Sequence, residues 1–264
     1  NIESFYLDGT TPVWVYACAD ALVEKRVWMQ QGDNTTYVRY KMLRGSLPLT
    51  LSVKALVNYR DRHSTTDSEN LNYEVVNSKQ GIKVKASSDA AELCLSGIKN
   101  VDLVTWQVNN EWYKDFRLAV EDYRGLNSVE DHLYAGNCSI DLTLGESVTI
   151  IASAENWGTG GLGDGETERQ GDGKLIDLFY AKNKIDTAPE WIEQLVLAAD
   201  QFIVDRPLED VPEGKTIIAG YPWFGDWGRD TMISLPGLTL TTGRFEVAKV
   251  ILQTFARYID KGML

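Results

Sequence analysis

The sequence predicts an antiparallel β-sandwich domain followed by a helical region. Up to about residue 185, short runs of β-branched and aromatic residues alternate with polar residues at a period of two. Gly, Asn, Asp and Ser separate these runs, as turns separate the strands of a sandwich. Beyond that point the apolar residues recur at helical spacing. We therefore predict a β-then-α fold, with domains at residues 1–185 and 186–264.

The strands are predicted from segments whose apolar residues occupy every second position. In TTYVRYKML, residues 35–43, Val38, Tyr40 and Met42 alternate with residues of the opposite face. CSIDLTLGESVTIIAS, residues 138–153, alternates in the same way. Shorter runs of the same kind are PVWVYAC, LTLSVKALVNY, GIKVKAS, AELCLSG and DLVTWQV. Many short strands with frequent turns are typical of a sandwich rather than of a parallel sheet.

Residues 158–173 combine two patterns that resemble ligand sites. GTGGLG, residues 158–163, matches the GxGxxG pattern of dinucleotide-binding loops. The following DGETERQGDG is rich in Gly and acidic residues, so we expect no helix N-terminus for a pyrophosphate. Its acidic residues could be calcium ligands, but they lack the spacing of an EF-hand loop. We therefore interpret the whole stretch as an exposed loop; the acidic residues are Asp164, Glu166, Glu168 and Asp172.

The first strongly helical segment is TAPEWIEQLVLAADQFIVD, residues 187–205. Thr187 and Glu190 form a capping-box pattern, and Pro189 suits the first turn of a helix, where a missing N–H is tolerated. A boundary between the two domains is therefore expected near residues 182–188. The apolar stripe of this helix is predicted to be Trp191, Ile192, Leu195, Val196, Ala199 and Phe202.

A second helical segment is RFEVAKVILQTFARYIDKG, residues 244–262, in which Gly262 is a natural stop. Its predicted apolar stripe is Phe245, Ala248, Ile251, Leu252, Phe255 and Ile259. Between the two segments, TMISLPGLTL predicts a shorter helix disturbed by Pro236 and Gly237. Because such broad apolar stripes need partners, we expect this helical region to be the beginning of a larger domain.

Composition and charge exclude several classes of protein. The 264 residues are 44% hydrophobic and 24% charged, with a formal net charge of −12 and a pI near 4.7. Nucleic acids and anionic membranes are therefore unexpected partners, since binding phosphates needs clustered Lys and Arg. No run approaches the ~20 apolar residues of a membrane span. Cys18, Cys94 and Cys138 are odd in number and widely spaced, which favours free thiols in a reducing cytoplasm.

The segment NYRDRH, residues 58–63, combines charged residues at the predicted end of a strand. Arg60, Asp61 and His63 are open to two interpretations. They could form an ion-pair cluster that fixes a loop, or they could face a ligand. The clustering of opposite charges at a strand end favours the first interpretation.

AGYPWFGDWGRDTMISLPGL, residues 219–238, carries the strongest candidate site. A pyranose ring has apolar C–H faces that aromatic rings can cover, and a rim of hydroxyl groups that carboxylates and guanidinium groups can bind. Trp223, Trp227, Arg229 and Asp230 supply these groups within eight positions. The alternative is that the rings pack between domains and that Asp230 is the N-cap of the next helix.

WFGDWGRDTMISLPGL strongly resembles the start of the catalytic region in amylo-α-1,6-glucosidases, the glycogen debranching enzyme family. The resemblance extends to FYLDGTTPVWVYACADALVEKRVWMQQGDNTTYVRY, LVNYRDRH, YRGLNSVED and LAADQFIV, and so covers nearly the whole chain. It implies a β-sandwich followed by the first helices of an (α/α)6 barrel. It also implies that Trp227 forms an apolar wall of the glucose subsite, with Trp223 as a second wall, and that Arg229 and Asp230 bind sugar hydroxyls.

The same resemblance implies the activity: inverting hydrolysis of α-1,6 branch linkages in glycogen or limit dextrin. The chemistry of this hydrolysis needs neither a metal nor an organic cofactor, and the cysteine pattern predicts a cytoplasmic location. Inversion needs two carboxyl groups ~6.5–9.5 Å apart. Asp226 and Asp230 lie on one loop and are not expected to flank a sugar. We therefore expect the acid and base C-terminal to Leu264, and a fragment that lacks its start and is inactive alone. Two alternatives stay open: a noncatalytic carbohydrate-binding or structural sandwich, and an α-glucosidase for α-1,4 ends or trehalose.

Overall fold

The structure is a computed structural model that describes residues 1–29, 32–155, 157 and 166–261. It divides into two compact units, which we name unit one, Asn1–Asp164, and unit two, Gly165–Leu264. Unit one consists mainly of strands, and unit two contains most of the helical residues. The GTGGLG pattern of residues 158–163 lies outside the described residues, as does Gly262.

Unit one contains β1 Ile2–Asp8, β2 Thr11–Cys18, β3 Ala21–Met29, β4 Thr35–Arg44, β5 Leu49–Val57, β6 Glu74–Ser78, β7 Gly81–Lys85, β8 Leu93–Lys99, β9 Asp102–Leu103, β10 Gln107–Arg117, β11 Val129–Leu142 and β12 Ser147–Ser153, together with a 3₁₀ turn Ser68–Asn70 and a short helix α1 Ala119–Tyr123. In the described part of the chain these strands form two antiparallel sheets. The larger has the order β1-β2-β3-β4-β12-β8-β7-β6, with β9 beside β8, and the smaller has the order β10-β11-β5.

The two sheets of unit one pack face to face on one apolar core. Met42 and Ile150 from the larger sheet are buried together with Leu133 and Ile140 from the smaller sheet. The alternation in the sequence places these side chains on the inner faces, because successive residues of a strand point to opposite sides. The predicted antiparallel β-sandwich is therefore confirmed.

Unit two contains α2 Glu166–Asn183, α3 Glu190–Gln201, β13 Ile203–Asp205, β14 Lys215–Gly220, β15 Phe224–Asp226, α4 Gly228–Leu235, a π-helical segment Pro236–Leu240 and α5 Phe245–Ala256. The three strands form a small antiparallel sheet of order β13-β14-β15. The α4 helix ends where Pro236 begins the π-helical segment, because proline removes a backbone N–H and its ring crowds the preceding turn. The predicted helix disturbed at this proline is thus confirmed.

The core of unit two is small and joins the strands to the later helices. It consists of Ile217, Leu235, Ala248, Ile251 and Phe255. The helices after the sheets agree with the predicted β-then-α order. The complete (α/α)6 barrel stays a prediction.

The predicted apolar stripe of α3 is partly wrong. Val196, Leu197 and Ala199 are buried, whereas Trp191 and Leu195 are exposed. Helical periodicity locates an apolar face, but neighbouring elements decide which part of that face is covered. The predicted capping box is also wrong: the N-cap is Pro189, which makes no side-chain capping bond.

The α5 helix shows a similar difference. Ala248, Ile251 and Phe255 are buried as predicted, but Phe245 and Leu252 are exposed. These two residues stand seven positions apart and therefore lie on one side of the helix, beside the covered stripe.

The acidic stretch after residue 164 does not form the loop that its composition predicts. Glu166 begins the long helix α2, and the division between the two compact units lies between residues 164 and 165. Glycine costs roughly 1 kcal/mol in a helix interior. Contacts made further along the helix offset this cost, since Phe179 is buried and the Tyr180 hydroxyl donates to Glu193 of α3. No helix in the described residues is long and apolar enough to cross a bilayer.

Candidate functional site

The candidate site is built on the hairpin formed by β14 and β15 and on the helix that follows. The strands pair antiparallel, with Ile218 opposite Asp226 and Gly220 opposite Phe224. The turn between them carries Trp223, and Trp227 is the N-cap of α4. Arg229 and Asp230 then lie in the first turn of that helix. All four residues that the sequence predicts for the site therefore come from one strand–turn–strand–helix unit.

Aromatic rings line the outside of this hairpin. The Trp227 side chain is exposed and meets Phe224 edge-on, with ring centroids 6.5 Å apart. Tyr221 packs on Phe202 at 5.9 Å, and its hydroxyl donates to the Gln201 carbonyl at 3.0 Å. Partial burial raises the pKa of the Tyr221 hydroxyl. Partly exposed aromatic rings are suited to stacking on an apolar surface such as a sugar face.

The two charged residues of the predicted site differ in exposure. The Arg229 side chain is 80% exposed and the Asp230 side chain is 44% exposed, with Arg229 Nε and Asp230 Oδ2 4.0 Å apart. This distance is too long for a strong hydrogen bond, so each group keeps bonding capacity for a ligand. A carboxylate in the first turn is also favoured by the positive end of the helix dipole.

Asp230 lines a cavity of about 360 Å³ within unit two. The cavity walls are mostly apolar, and Asp230 and Ser234 are the polar residues among them. Trp223, Trp227 and Arg229 are not part of this lining. The structure therefore places the four predicted residues on one short segment, but only Asp230 faces this cavity.

The alternative role of Asp230 as an N-cap is wrong. The N-cap residue of α4 is Trp227, and no side chain caps this helix end. Asp230 lies three residues later, and its backbone carbonyl accepts a hydrogen bond from the Ser234 hydroxyl at 2.7 Å. Its carboxylate is thus not used to begin the helix.

Asp226, the other acidic residue of the segment, is occupied by neighbours. Its carboxylate contacts the Arg206 guanidinium and accepts a hydrogen bond from the Thr216 hydroxyl at 2.9 Å. These two contacts occupy the Asp226 carboxylate within unit two.

In unit one, the charged residues of NYRDRH form contacts within their own region. Arg60 binds Glu130 through Nε at 2.5 Å and through Nη2 at 3.0 Å, and the Asp61 carboxylate accepts from the His63 backbone N–H at 3.0 Å. The bidentate bond to Arg60 lowers the pKa of Glu130 despite its burial, which alone would raise it. These contacts favour the interpretation of an ion-pair cluster that orders a loop.

Two features of the site were not predicted from the sequence. The cavity beside Asp230 is lined by Phe202, Ile217, Ile218, Ala219, Asp230, Ile233, Ser234 and Leu238. The second is the ion pair between Arg206 and Asp226, whose members stand 20 positions apart. The sequence GDWGRD shows the aspartate of this pair, but no local sequence pattern indicates which cation binds it. Among the described residues, no group of three or more His, Cys, Asp or Glu is placed to hold a metal ion.

Comparison with known proteins gives two family matches. Residues 1–149 match the family model described as glycogen debranching enzyme N terminal. Residues 197–264 match the model described as amylo-alpha-1,6-glucosidase, and this range includes the whole candidate site. A 63-residue stretch is 43% identical to the glycogen debranching enzyme of Saccharomyces cerevisiae. That stretch covers 22% of this chain and 4% of the yeast protein.

Proposed function

The chain belongs to the glycogen debranching enzyme family, and from this membership we propose that it carries the substrate-positioning part of an amylo-α-1,6-glucosidase. The proposed substrate is the α-1,6-linked glucose of a glycogen or limit-dextrin branch, hydrolysed in the cytoplasm. The observation that carries the proposal is the placement of Trp227, Arg229 and Asp230 at one strand–helix junction. Neither a metal nor an organic cofactor is needed for this chemistry.

The roles of the three residues follow from the groups that a glucose unit presents. The exposed indole of Trp227 covers a C–H face of the ring. Asp230 accepts hydrogen bonds from hydroxyl groups, and the planar guanidinium of Arg229 donates to hydroxyl oxygens. Trp223 is proposed as a second apolar wall. Fixing the sugar in this way lowers the barrier by several kcal/mol, since a misplaced sugar rarely reaches the geometry of attack.

Proton transfer is assigned to other residues. Inverting hydrolysis needs one carboxylic acid to protonate the departing oxygen, and one carboxylate to activate water on the opposite face of the sugar. Asp226 is engaged by Arg206 and Thr216, and we assign neither role to it. We propose that the acid and base are supplied by residues C-terminal to Leu264. General acid–base catalysis is commonly worth ~10²–10⁴-fold, so the chain alone should release almost no glucose.

Substitution of Asp230 tests the proposed site. Asp230→Asn keeps the shape of the side chain but loses the charge that strengthens hydrogen bonds to sugar hydroxyls. We expect isomaltose to bind at least tenfold more weakly, measured by calorimetry on the 264-residue chain. In a protein that includes the catalytic carboxylates, hydrolysis of limit dextrin should fall more than a hundredfold. The melting temperature should change little, because Asp230 caps no helix and the favourable effect of the helix dipole on a carboxylate this exposed is at most about 1 kcal/mol.

Asp205→Asn is the matched control, since this carboxylate lies in the same unit, is highly exposed and pairs with Lys215 among the residues that the structure describes. It should leave isomaltose binding unchanged. An equal loss of binding and of thermal stability in Asp230→Asn would reject the proposed role. Retained glucan binding in that variant would favour a noncatalytic module that adheres through its exposed rings. Preference for maltose or trehalose over isomaltose would favour the related α-glucosidases.

A further inference from the structure

The β15 strand is a short element that leads into the candidate site and orients the helix that carries it. It has three residues, Phe224–Asp226, and pairs with β14 at two positions. Its last residue, Asp226, directly precedes the N-cap of the helix that carries Arg229 and Asp230. So short a pairing leaves the junction dependent on side-chain contacts, because each backbone hydrogen bond makes only a modest net contribution to stability.

The side chain of Asp226 supplies such a contact. It receives the Thr216 hydroxyl at 2.9 Å from the neighbouring strand and the guanidinium of Arg206 from the segment after β13. The side chains of Arg206 and Asp226 are only 30% and 22% exposed, respectively. Partial burial strengthens a charged hydrogen bond relative to one on an open surface. The carboxylate is therefore tied to β14 through Thr216 and to the segment after β13 through Arg206.

Arg206 is itself held in place on three sides. Its Cζ atom lies 4.7 Å from the ring centroid of Tyr258 and 5.8 Å from that of Phe255. Its backbone N–H donates to the carbonyl of Gly214 at 2.6 Å. At Gly214 a Cβ atom would stand 2.2 Å from the Arg206 carbonyl oxygen, so this close approach requires glycine. The guanidinium is thus a fixed group rather than a mobile surface charge.

We propose that Arg206 and Asp226 are positioning residues that fix the orientation of Trp227, Arg229 and Asp230 for the sugar. The choice of a sugar as the ligand rests on the proposed function. The claim that Arg206 and Asp226 orient the site residues does not. We name this set of contacts the Arg206–Asp226 clamp; it consists of Arg206, Thr216 and Asp226, together with the two rings that hold the guanidinium. The clamp does not touch the sugar; it acts through the strand–helix junction.

The chemistry of the clamp predicts which substitutions weaken it. Lysine keeps the charge of Arg206 but loses the planar group that binds a carboxylate and stacks on rings. Asparagine keeps the shape of Asp226 but loses its charge. Valine at position 216 removes only the hydroxyl bond. We expect Arg206→Lys and Asp226→Asn to weaken isomaltose binding about tenfold, and Thr216→Val to weaken it about threefold.

The experiment records ¹H–¹⁵N spectra of the tryptophan indole groups and backbone amides in the 264-residue chain. Trp227→Phe assigns the Trp227 signal. This signal should shift or broaden in Arg206→Lys and in Asp226→Asn, while the backbone amide signal of Ile251, which is buried in the core of unit two, stays in place and shows that unit two is folded. Isomaltose titrations on the same samples give the affinities. A merely structural role would change stability without moving the Trp227 signal of the folded protein.

The ion pair between Lys215 and Asp205 supplies the matched control. It joins β13 and β14 in the same sheet at 2.5 Å, with Asp205 highly exposed. Lys215→Gln and Asp205→Asn should leave both the Trp227 signal and the affinity unchanged. If Asp226→Asn unfolds unit two, the Thr216→Val result decides, because that variant removes one bond to the same carboxylate.

Two outcomes separate this proposal from the proposed function. An unmoved Trp227 signal and an unchanged affinity in the clamp variants would overturn the clamp. A wild-type chain that binds no isomaltose would instead count against the proposed ligand. In that case the Trp227 signal alone still tests whether Arg206 and Asp226 orient the site.

Discussion

Glu146 shows how a single side chain can hold a turn of the β-rich unit. The turn joins β11 to β12 and passes through Gly145, whose φ of +85° is one that glycine adopts without strain. The Glu146 carboxylate accepts from the Thr143 backbone N–H at 2.8 Å and pairs with Lys99 Nζ at 2.9 Å. The bond to Lys99 is the largest cause, and the bonds to Thr143 the next, of a Glu146 pKa lowered to about 2.

This pKa predicts a pH dependence of stability. A carboxyl group whose pKa is lower in the folded state stabilises the fold above its unfolded pKa, near 4.5, and loses that contribution as the pH falls toward 2. Glu146→Gln should therefore melt at a lower temperature than the wild type at pH 7, with the difference shrinking between pH 4.5 and 2. Thermal melts followed by circular dichroism would measure it. A difference that is constant across this pH range would contradict the assigned ion pair.

Arg244 connects separate elements of unit two, whereas Glu146 mainly holds one turn. Its side chain is almost fully buried, contacts Asp200 of α3, and donates to the Leu238 carbonyl at 2.6 Å and to the Thr242 hydroxyl at 3.0 Å. Burial lowers the pKa of the guanidinium, and Asp200 opposes this shift. Because Leu238 belongs to the π-helical segment and also lines the cavity beside Asp230, Arg244 fixes one wall of that cavity.

Removal of this guanidinium should be costly. Arg244→Leu leaves the Leu238 carbonyl without its charged donor and Asp200 without its cation, which we expect to lower the free energy of unfolding by about 2 kcal/mol. Urea titration followed by circular dichroism would measure the change. Arg257→Gln is the control: its ion pair with Asp210 is half exposed, so the expected change is within about 0.5 kcal/mol. If both variants lower the free energy of unfolding by the same amount, then the burial of Arg244 does not increase its contribution to stability.

The strands and helices also show which features of the fold could be predicted from the sequence. Alternation located strands such as β4, because a two-residue period assigns each side chain to a face without any knowledge of partners. The start of α2 was missed, since its Gly-rich composition favours a loop and the stabilising contacts of Phe179 and Tyr180 come from later in the helix. Whether a helical residue is covered depends on neighbours, so the exposure of Trp191 could not be predicted.

The candidate site also has one part that the sequence could predict and one part that it could not. Trp227, Arg229 and Asp230 were found together because the sugar-binding chemistry that we propose for them lies within one short segment. Arg206 was missed because its contact with Asp226 spans 20 positions and depends on how β13, β14 and β15 align. Contacts across a sheet need a register, and the local sequence pattern does not supply one for strands this short.

For the whole molecule, the two units have separate cores of different size. The core of unit one includes buried residues from both sheets, whereas the core cluster of unit two has five buried apolar side chains, Ile251 among them. Stability from burial grows with the apolar area removed from water, roughly 25 cal/mol per Å². Unit two also exposes large apolar side chains on α3 and α5, such as Trp191 and Leu252, which contribute little to its own core. Unit two should therefore be the less stable of the two.

This difference predicts two unfolding transitions. In a urea titration, the indole signals of Trp191 and Trp227 should disappear at a lower concentration than that of Trp106, which is buried in the core of unit one. Ile251→Ala should destabilise the first transition by about 3 kcal/mol, and Leu133→Ala should destabilise the second by a similar amount. Each substitution should leave the other transition in place. A single midpoint for all three signals, shifted by either substitution, would show instead that the sandwich and the helices unfold as one cooperative unit, and that the aromatic segment depends on both cores.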